Sequence, residues 1–340
     1  MMNPIYTIPD SITIDPFIPA GFARGPHAQT IVAHKLRSTD GVVLKRETFD
    51  TPDGDFLAIE HALPAENHQF PADAPLLLCL HGLEGHAGGI YMLETYRQAF
   101  GHNLRPIGMN YRTCGGEMNR TWRMYNAGAT DDVSLVVDHL LEQFPHAPSI
   151  SIIGFSLGGN MLVKYLGEGR TVPAKLKSAA AVSPPFDMNL GIQKLLHGMG
   201  WLYGFRFLRT LKAKTRLKAD LVKDRVDVDA CLSAKTLLEF DEVGTSQLYG
   251  YKDAADYYTQ NGCHQFLDGV AVPTLLIRSL DDPFMDPNDV PYATIERNPN
   301  LYAAITQRGG HVGFMAAGRR FWGEETAVRF VAEMLNSSNF

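Results

Sequence analysis

Apolar and polar positions along the chain follow two alternating rhythms. Short continuous apolar runs occur at 75–80, 106–110, 150–155, 178–182, 274–279 and 301–306. A strand covered by helices on both faces of a parallel sheet is buried on both sides, so it reads as an unbroken apolar run. Between several of these runs lie stretches with apolar residues every three or four positions, at 90–100, 131–144, 157–166 and 323–335. That spacing is the mark of an amphipathic helix. Strand and helix alternate, which predicts a doubly wound α/β sheet.

Two regions depart from the rhythm. Residues 42–49 and 56–62 are strand-like and flank Thr51-Pro52-Asp53-Gly54, whose turn chemistry predicts an opening hairpin. About 85 residues separate the strand ending near Ser183 from the one starting near Val272, too long for a plain loop and suggestive of an inserted helical cap. Within it, Trp201, Phe205 and Leu208 keep helical spacing, and Arg206, Arg209, Lys212, Lys214, Arg216 and Lys218 form a basic run. That run reads either as a solvated helix face or as a cap surface that meets anionic lipid.

Composition narrows the function classes. Of 340 residues, 45% are hydrophobic and 20% charged, the balance of a globular protein rather than a disordered one. The formal charge is −6, so no global positive field draws nucleic acid or an anionic membrane; nucleic acid is not expected as a partner, and any basic surface must be local. Cys79, Cys114, Cys231 and Cys263 show neither C-x-x-C pairing nor metal-ligand spacing with His, so free thiols in a reducing compartment are expected. The stretch 1–19 lacks a charged region followed by an apolar one, and nothing reaches the roughly 18 apolar residues of a membrane span. A cytoplasmic location without stable membrane insertion is the expectation.

The strongest chemical signal is Gly154-Phe155-Ser156-Leu157-Gly158. This G-x-S-x-G follows an apolar run and opens an amphipathic segment, the strand, sharp turn and helix that a nucleophile elbow needs. The glycines two residues either side of the serine leave room for the adjoining strand and helix, and the turn presents the hydroxyl at a helix N-terminus. Attack on an ester carbonyl creates an oxyanion that requires two fixed N–H donors. One is expected from the backbone of Leu157, and the other from Leu83, in the loop His81-Gly82-Leu83-Glu84-Gly85 that follows the third strand.

A serine hydroxyl also needs a base and an acid to orient that base, in the chain order Ser, Asp or Glu, His. Of the twelve histidines, only His311 lies beyond the last predicted strand, where Gly309 and Gly310 let a loop fold back over Ser156. The acid is expected after 274–279, where Asp281 and Asp282 are both candidates. Asp282 is preferred because in many enzymes that use such a row the acid directly precedes a short apolar pair at this turn, with Asp281 left to cap the turn or contact the backbone.

Together the HGLEG loop, the GFSLGGN elbow, the SLDDPF turn and the GGHVGF loop resemble the α/β-hydrolase subfamily of bacterial YheT-type esterases. Yeast ethanol acyltransferase/esterases and mammalian ABHD1, 2 and 3 type proteins are more distantly similar. Matching segments also include Gly128 to Asp132 and the tyrosine-rich 249–258, so the likeness spans nearly the whole chain after the leader. One departure is Arg112-Thr113-Cys114-Gly115-Gly116, where relatives often carry R-G-C-S-G.

The resemblance implies an α/β-hydrolase fold: a mostly parallel central sheet, helices on both faces, and an inserted helical cap over about 186–266. The whole, 1–340, is expected as one domain with an irregular leader over 1–40. It implies a serine carboxylic-ester hydrolase acting on short to medium acyl esters through Ser156, His311 and Asp282, with no cofactor and no metal. Alcohol O-acyltransfer or acylglycerol lipase activity with the same residues is the alternative, and an inactive hydrolase-fold binding protein the non-enzymatic one.

Overall fold

Strand β4 (Leu76–Leu80) shows how the apolar runs build the molecule. Leu76, Leu78 and Leu80 pack into one apolar layer, while Leu77 and Cys79 enter another on the opposite side, as the two-residue period of a strand dictates. All five are fully buried. Each buried leucine stabilises the fold by about 1.5–3 kcal/mol relative to exposure.

The computed structural model describes residues 5–9, 12–66 and 69–336. Its strands are β1 (Ile5–Thr7), β2 (Val42–Asp50), β3 (Phe56–Pro64), β4, β5 (Arg105–Asn110), β6 (Ile150–Phe155), β7 (Leu176–Val182), β8 (Thr274–Ser279) and β9 (Leu301–Thr306). They form one sheet in the order β1-β9-β8-β7-β6-β4-β5-β3-β2. Neighbours from β9 to β5 pair in parallel, whereas β1 at one edge and the β2–β3 hairpin at the other are antiparallel.

The helices that bear on the site are α1 (Pro26–Leu36), α2 (Ile90–Phe100), α3 (Thr130–Gln143), α4 (Leu157–Gly167), α5 (Met188–Leu196), α6 (Gly200–Leu217), α7 (Ala254–Asn261) and α8 (Trp322–Asn336). Val133, Val136 and Leu140 of α3 share a layer with Met161 and Leu162 of α4. Met92 and Tyr96 of α2 share the other with Val328 and Val331 of α8. The doubly wound sheet expected from the alternation, and the mostly parallel α/β-hydrolase architecture that the resemblance implies, are the ones observed. All four cysteines are buried and free. Among the described residues no helix is long and apolar enough to cross a membrane.

The leader differs from expectation. Residues 1–4 and 10–11 lie outside the described residues, but β1 extends the sheet beside β9, with Tyr6 opposite Ala304, and α1 is a regular helix. The face that α1 buries carries Gln29 and Ala33, one turn apart, and continues to Arg37 just beyond the helix. Two of these three are polar, so no hydrophobic period announces the helix. Its burial is satisfied by long-range hydrogen bonds instead.

The basic run also divides. Lys214 turns inward to Glu84, 2.7 Å away, and contacts Cys114 Sγ at 3.2 Å. Lys218 is fully buried and donates to Asn119 Oδ1 at 2.6 Å and to the Arg123 carbonyl at 3.0 Å. Neither belongs to a solvated face. Arg206, Arg209 and Arg216 remain exposed.

Thr113, which stands where the resembling sequences carry glycine, adopts φ 69°, the left-handed region. Its buried Oγ1 has no hydrogen-bond partner. Left-handed backbone costs an L-residue about 1–2 kcal/mol, and an unsatisfied buried hydroxyl about 1–3 kcal/mol. Glycine would remove both, against about 1 kcal/mol of added freedom in the unfolded chain and about 1 kcal/mol of lost methyl packing. Thr113→Gly is therefore expected to stabilise the protein by about 1 kcal/mol, seen as a higher urea midpoint at unchanged slope. An unchanged or lower midpoint would contradict this reading.

Candidate active site

The elbow is built by close backbone approach. A Cβ at Gly154 would lie 2.4 Å from the Gly158 carbonyl oxygen, and one at Gly158 would lie 2.5 Å from that of Leu80 and 2.6 Å from that of His81. Only glycine fits at either position. Ser156 between them has φ 53° and ψ −119°, a strained conformation at the N-terminus of α4. Its own N–H donates to the Val182 carbonyl at 2.8 Å, which ties the turn to β7.

Across the turn lies His311. Its Nε2 is 2.9 Å from Ser156 Oγ, and its Nδ1 is 2.8 Å from Asp282 Oδ2. With Nδ1–H donated to the carboxylate, Nε2 is left to accept from the serine hydroxyl. The Phe284 ring lies against the imidazole, centroids 4.2 Å apart. The structure thus brings Ser156, His311 and Asp282 into one hydrogen-bonded row.

The two candidate acids separate by contact. Asp282 receives His311 on Oδ2 and the Phe284 N–H on Oδ1 at 2.8 Å. Asp281 accepts the Gly310 N–H at 3.0 Å, and burial pushes its carboxyl above the usual range. Asp281 therefore touches the backbone of the histidine loop rather than the imidazole.

That loop, 309–314, is pinned from several directions. The Arg37 guanidinium donates to the carbonyls of Val312 at 2.8 Å and Gly313 at 3.1 Å. Thr30 Oγ1 accepts the His311 N–H at 3.0 Å. Gln29 donates to the Met315 carbonyl at 3.1 Å and accepts the Met315 N–H at 2.7 Å. Ser279 Oγ donates to the Gly310 carbonyl at 2.7 Å. Val312 and Phe314 hold positive φ, 53° and 39°, within this clamp.

The loop His81–Gly85 passes directly over the serine, close enough that a Cβ on Gly82 would meet Ser156 Cβ at 3.2 Å. Its shape is set by side chains. The Gly82 N–H donates to the Tyr91 hydroxyl at 2.8 Å and the Glu84 N–H to the Tyr125 hydroxyl at 2.9 Å. The buried His81 ring faces the Gly82 carbonyl through Nδ1 at 2.8 Å, and burial holds its pKa down at about 3, so it is neutral. Between these occupied donors, the Leu83 N–H has no hydrogen-bond partner among the described residues, and neither has the Leu157 N–H at the start of α4.

Above the serine opens a cavity of about 550 Å³, lined by Leu83, Tyr125, Leu157, Ile192, Phe207 and Met285 among others. Most of its wall is aliphatic or aromatic. Among the described residues no group of three or more His, Cys, Asp or Glu is arranged to hold a metal ion.

Sequence reasoning missed several residues here. Arg278, fully buried on β8, lies 2.8 Å from Asp282 Oδ2 and 3.1 Å from Asp289 Oδ1. A lone charge inside an apolar strand run must find a buried partner, so its signal was present. Arg37, Thr30 and Gln29 carried no such signal, because nothing local marks a side chain that serves a loop some 280 residues away.

Comparison with known proteins agrees with this architecture. Residues 75–317 match the family model described as the alpha/beta hydrolase fold. The esterase-type protein YheT of Escherichia coli (strain K12) is 33% identical over 302 residues, covering 88% of this chain and 87% of that protein. Phospholipase ABHD3 of Bos taurus is 29% identical over 309 residues, covering 89% and 74%. Among solved structures, the Pyrococcus furiosus esterase Pf2001 superposes with a TM-score of 0.57 at 14% identity, covering 96% of this chain and 97% of that one, a likeness of fold. The chain belongs to the α/β-hydrolase fold family, in its YheT-type group of esterase- and lipase-type hydrolases.

Proposed function

We propose that the protein is a serine carboxylic-ester hydrolase in which Ser156 is the nucleophile, His311 the base and Asp282 the orienting acid. The carrying observation is the row Ser156 Oγ, His311 Nε2 and Nδ1, Asp282 Oδ2, with 2.9 Å and 2.8 Å steps, at the floor of an apolar cavity.

In the first half-reaction His311 Nε2 takes the Ser156 proton as Oγ attacks the ester carbonyl. The carbonyl oxygen becomes an oxyanion, which the free N–H groups of Leu83 and Leu157 receive. The protonated imidazole, stabilised by Asp282, gives its proton to the departing alcohol. Water enters, loses a proton to His311 and attacks the acyl-enzyme, and Ser156 leaves with that proton. The Arg278 guanidinium, 2.8 Å from Asp282 Oδ2, is the buried counter-charge of that carboxylate. The helical segment between β7 and β8 acts as a cap whose apolar side chains, including Ile192 and Phe207, receive the acyl chain. Relatives named phospholipase and monoacylglycerol lipase support lipid-type acyl esters as the substrate class.

A panel of p-nitrophenyl esters of increasing chain length, with ethanol added to part of each assay, tests this reading. Ser156→Ala is expected to abolish turnover and labelling by a fluorophosphonate probe. Asp282→Asn should lower kcat by on the order of 10⁴, the cost of losing the correct imidazole tautomer. Asp281→Asn should lose about tenfold or less, since it supports only the loop backbone. If Asp281→Asn is the crippled variant, or if ethanol esters outrun free acid as product, the assignment is wrong in that respect.

One polar group in the cavity wall bears on stability. Asp241 opens a π-helical turn (Asp241–Thr245) and accepts hydrogen bonds from Thr245 at 2.7 Å and Tyr258 at 2.6 Å. Burial raises its pKa to about 6, against the pull of those two hydroxyls. The folded state thus holds the proton more tightly than the unfolded one, so stability is lost as pH rises from about 4 through 6. Asp241→Asn removes this loss. Its urea-derived stability relative to wild type should rise by about 1 kcal/mol from pH 5 to pH 8, and a pH-independent difference would contradict the account.

A further inference from the structure

The mouth of the cavity has a character that ester hydrolysis does not explain. Ile31, His34 and Lys35 of α1 and Tyr203, Arg206 and Phe207 of α6 line the same opening. The two helices touch through His27 Nδ1 and the Tyr203 hydroxyl, 3.4 Å apart. Beside the opening, Trp201, Leu202 and Phe205 are 46%, 51% and 50% exposed, with the Trp201 and Phe205 rings stacked at 5.5 Å. Exposed aromatics grouped in this way mark a surface that meets something.

The cations beside them point to what it meets. Leu202, Phe205, Arg206 and Arg209, spaced three or four residues apart across successive turns, share the exposed side of α6, and Arg216 lies on it seven residues further on, so apolar and basic residues share one stripe. Among the described residues, Lys35, Arg206, Arg209 and Arg216 form no ion pair, which leaves their charge to meet a partner outside the chain. In a chain of net charge −6, this is a local concentration of positive charge at a hydrophobic rim.

We propose that this rim, formed by α1 and the first half of α6, docks on an anionic lipid surface and so opens the cavity directly onto the bilayer interface. Aromatic and aliphatic side chains enter the headgroup boundary while Lys35, Arg206 and Arg209 meet lipid phosphates. No span is involved; α6 lies in the interface plane. The inference does not depend on the triad being active, because binding is measured without turnover.

The test uses the full chain as Ser156→Ala, floated with vesicles of phosphatidylcholine containing about one-third phosphatidylglycerol, and with pure phosphatidylcholine vesicles. Binding to the anionic vesicles is expected, weakening in high salt as the charge attraction is screened. Trp201→Ser with Phe205→Ser, and separately Arg209→Glu, should each reduce that binding about tenfold or more. In the otherwise wild-type chain these variants should leave thermal unfolding and hydrolysis of a short soluble ester unchanged. Absence of vesicle binding, or binding that the variants leave intact, would overturn the proposal. So would a dimer by light scattering that dissociates in the Trp201→Ser, Phe205→Ser variant without vesicle binding, which would give the rim to a second copy of the chain.

Discussion

Backbone approaching backbone with no side chain between is the constraint on which the rest of this structure depends. At Gly158 the first turn of α4 meets the carbonyls at the end of β4 closely enough to exclude a methyl group. That contact forces Ser156 into a left-handed bend and lifts its hydroxyl off the sheet edge. The same contact brings the loop after β4 over the serine, so the free N–H of Leu83 and that of Leu157 come from two elements that cannot separate. Loosening Gly154 or Gly158 would displace the Ser156 hydroxyl and those two N–H groups together.

The imidazole is delivered differently. Its loop is anchored in the core by Phe314, and its turn is held by directional bonds from Asp281, Ser279, Thr30, Gln29 and Arg37. Three of these five come from the N-terminal leader, which therefore serves as a structural partner of the site rather than an appendage. Buried hydrogen bonds to backbone groups are costly to leave unmade, so the clamp specifies one loop geometry where apolar contacts would tolerate several.

Much of this was legible in the sequence. The apolar runs at 150–155, 274–279 and 301–306 coincide with β6, β8 and β9, because strands buried on both faces leave an unmistakable record. Gly154, Ser156 and Gly158 declared the elbow because close approach admits one residue type only. The leader was illegible for the opposite reason: α1 buries Gln29 and, beyond its end, Arg37, and a polar inward stripe defeats any search for hydrophobic period. Lys214 and Lys218 looked like surface charge because sequence spacing cannot show that Glu84 and Asn119 wait across the interior. Asp281 and Asp282 differ only in which way each carboxylate turns, a distinction that three-dimensional contacts supply.

The most direct measurement is a crystal structure of the protein after reaction with an alkyl fluorophosphonate, whose tetrahedral phosphorus stands in for the attacked carbonyl carbon. The account requires phosphorus bonded to Ser156 Oγ, the alkyl chain in the cavity, and the phosphonyl oxygen about 2.7–3.1 Å from the backbone nitrogens of both Leu83 and Leu157. Phosphorus on another residue, or a phosphonyl oxygen turned away from those two nitrogens, would contradict it.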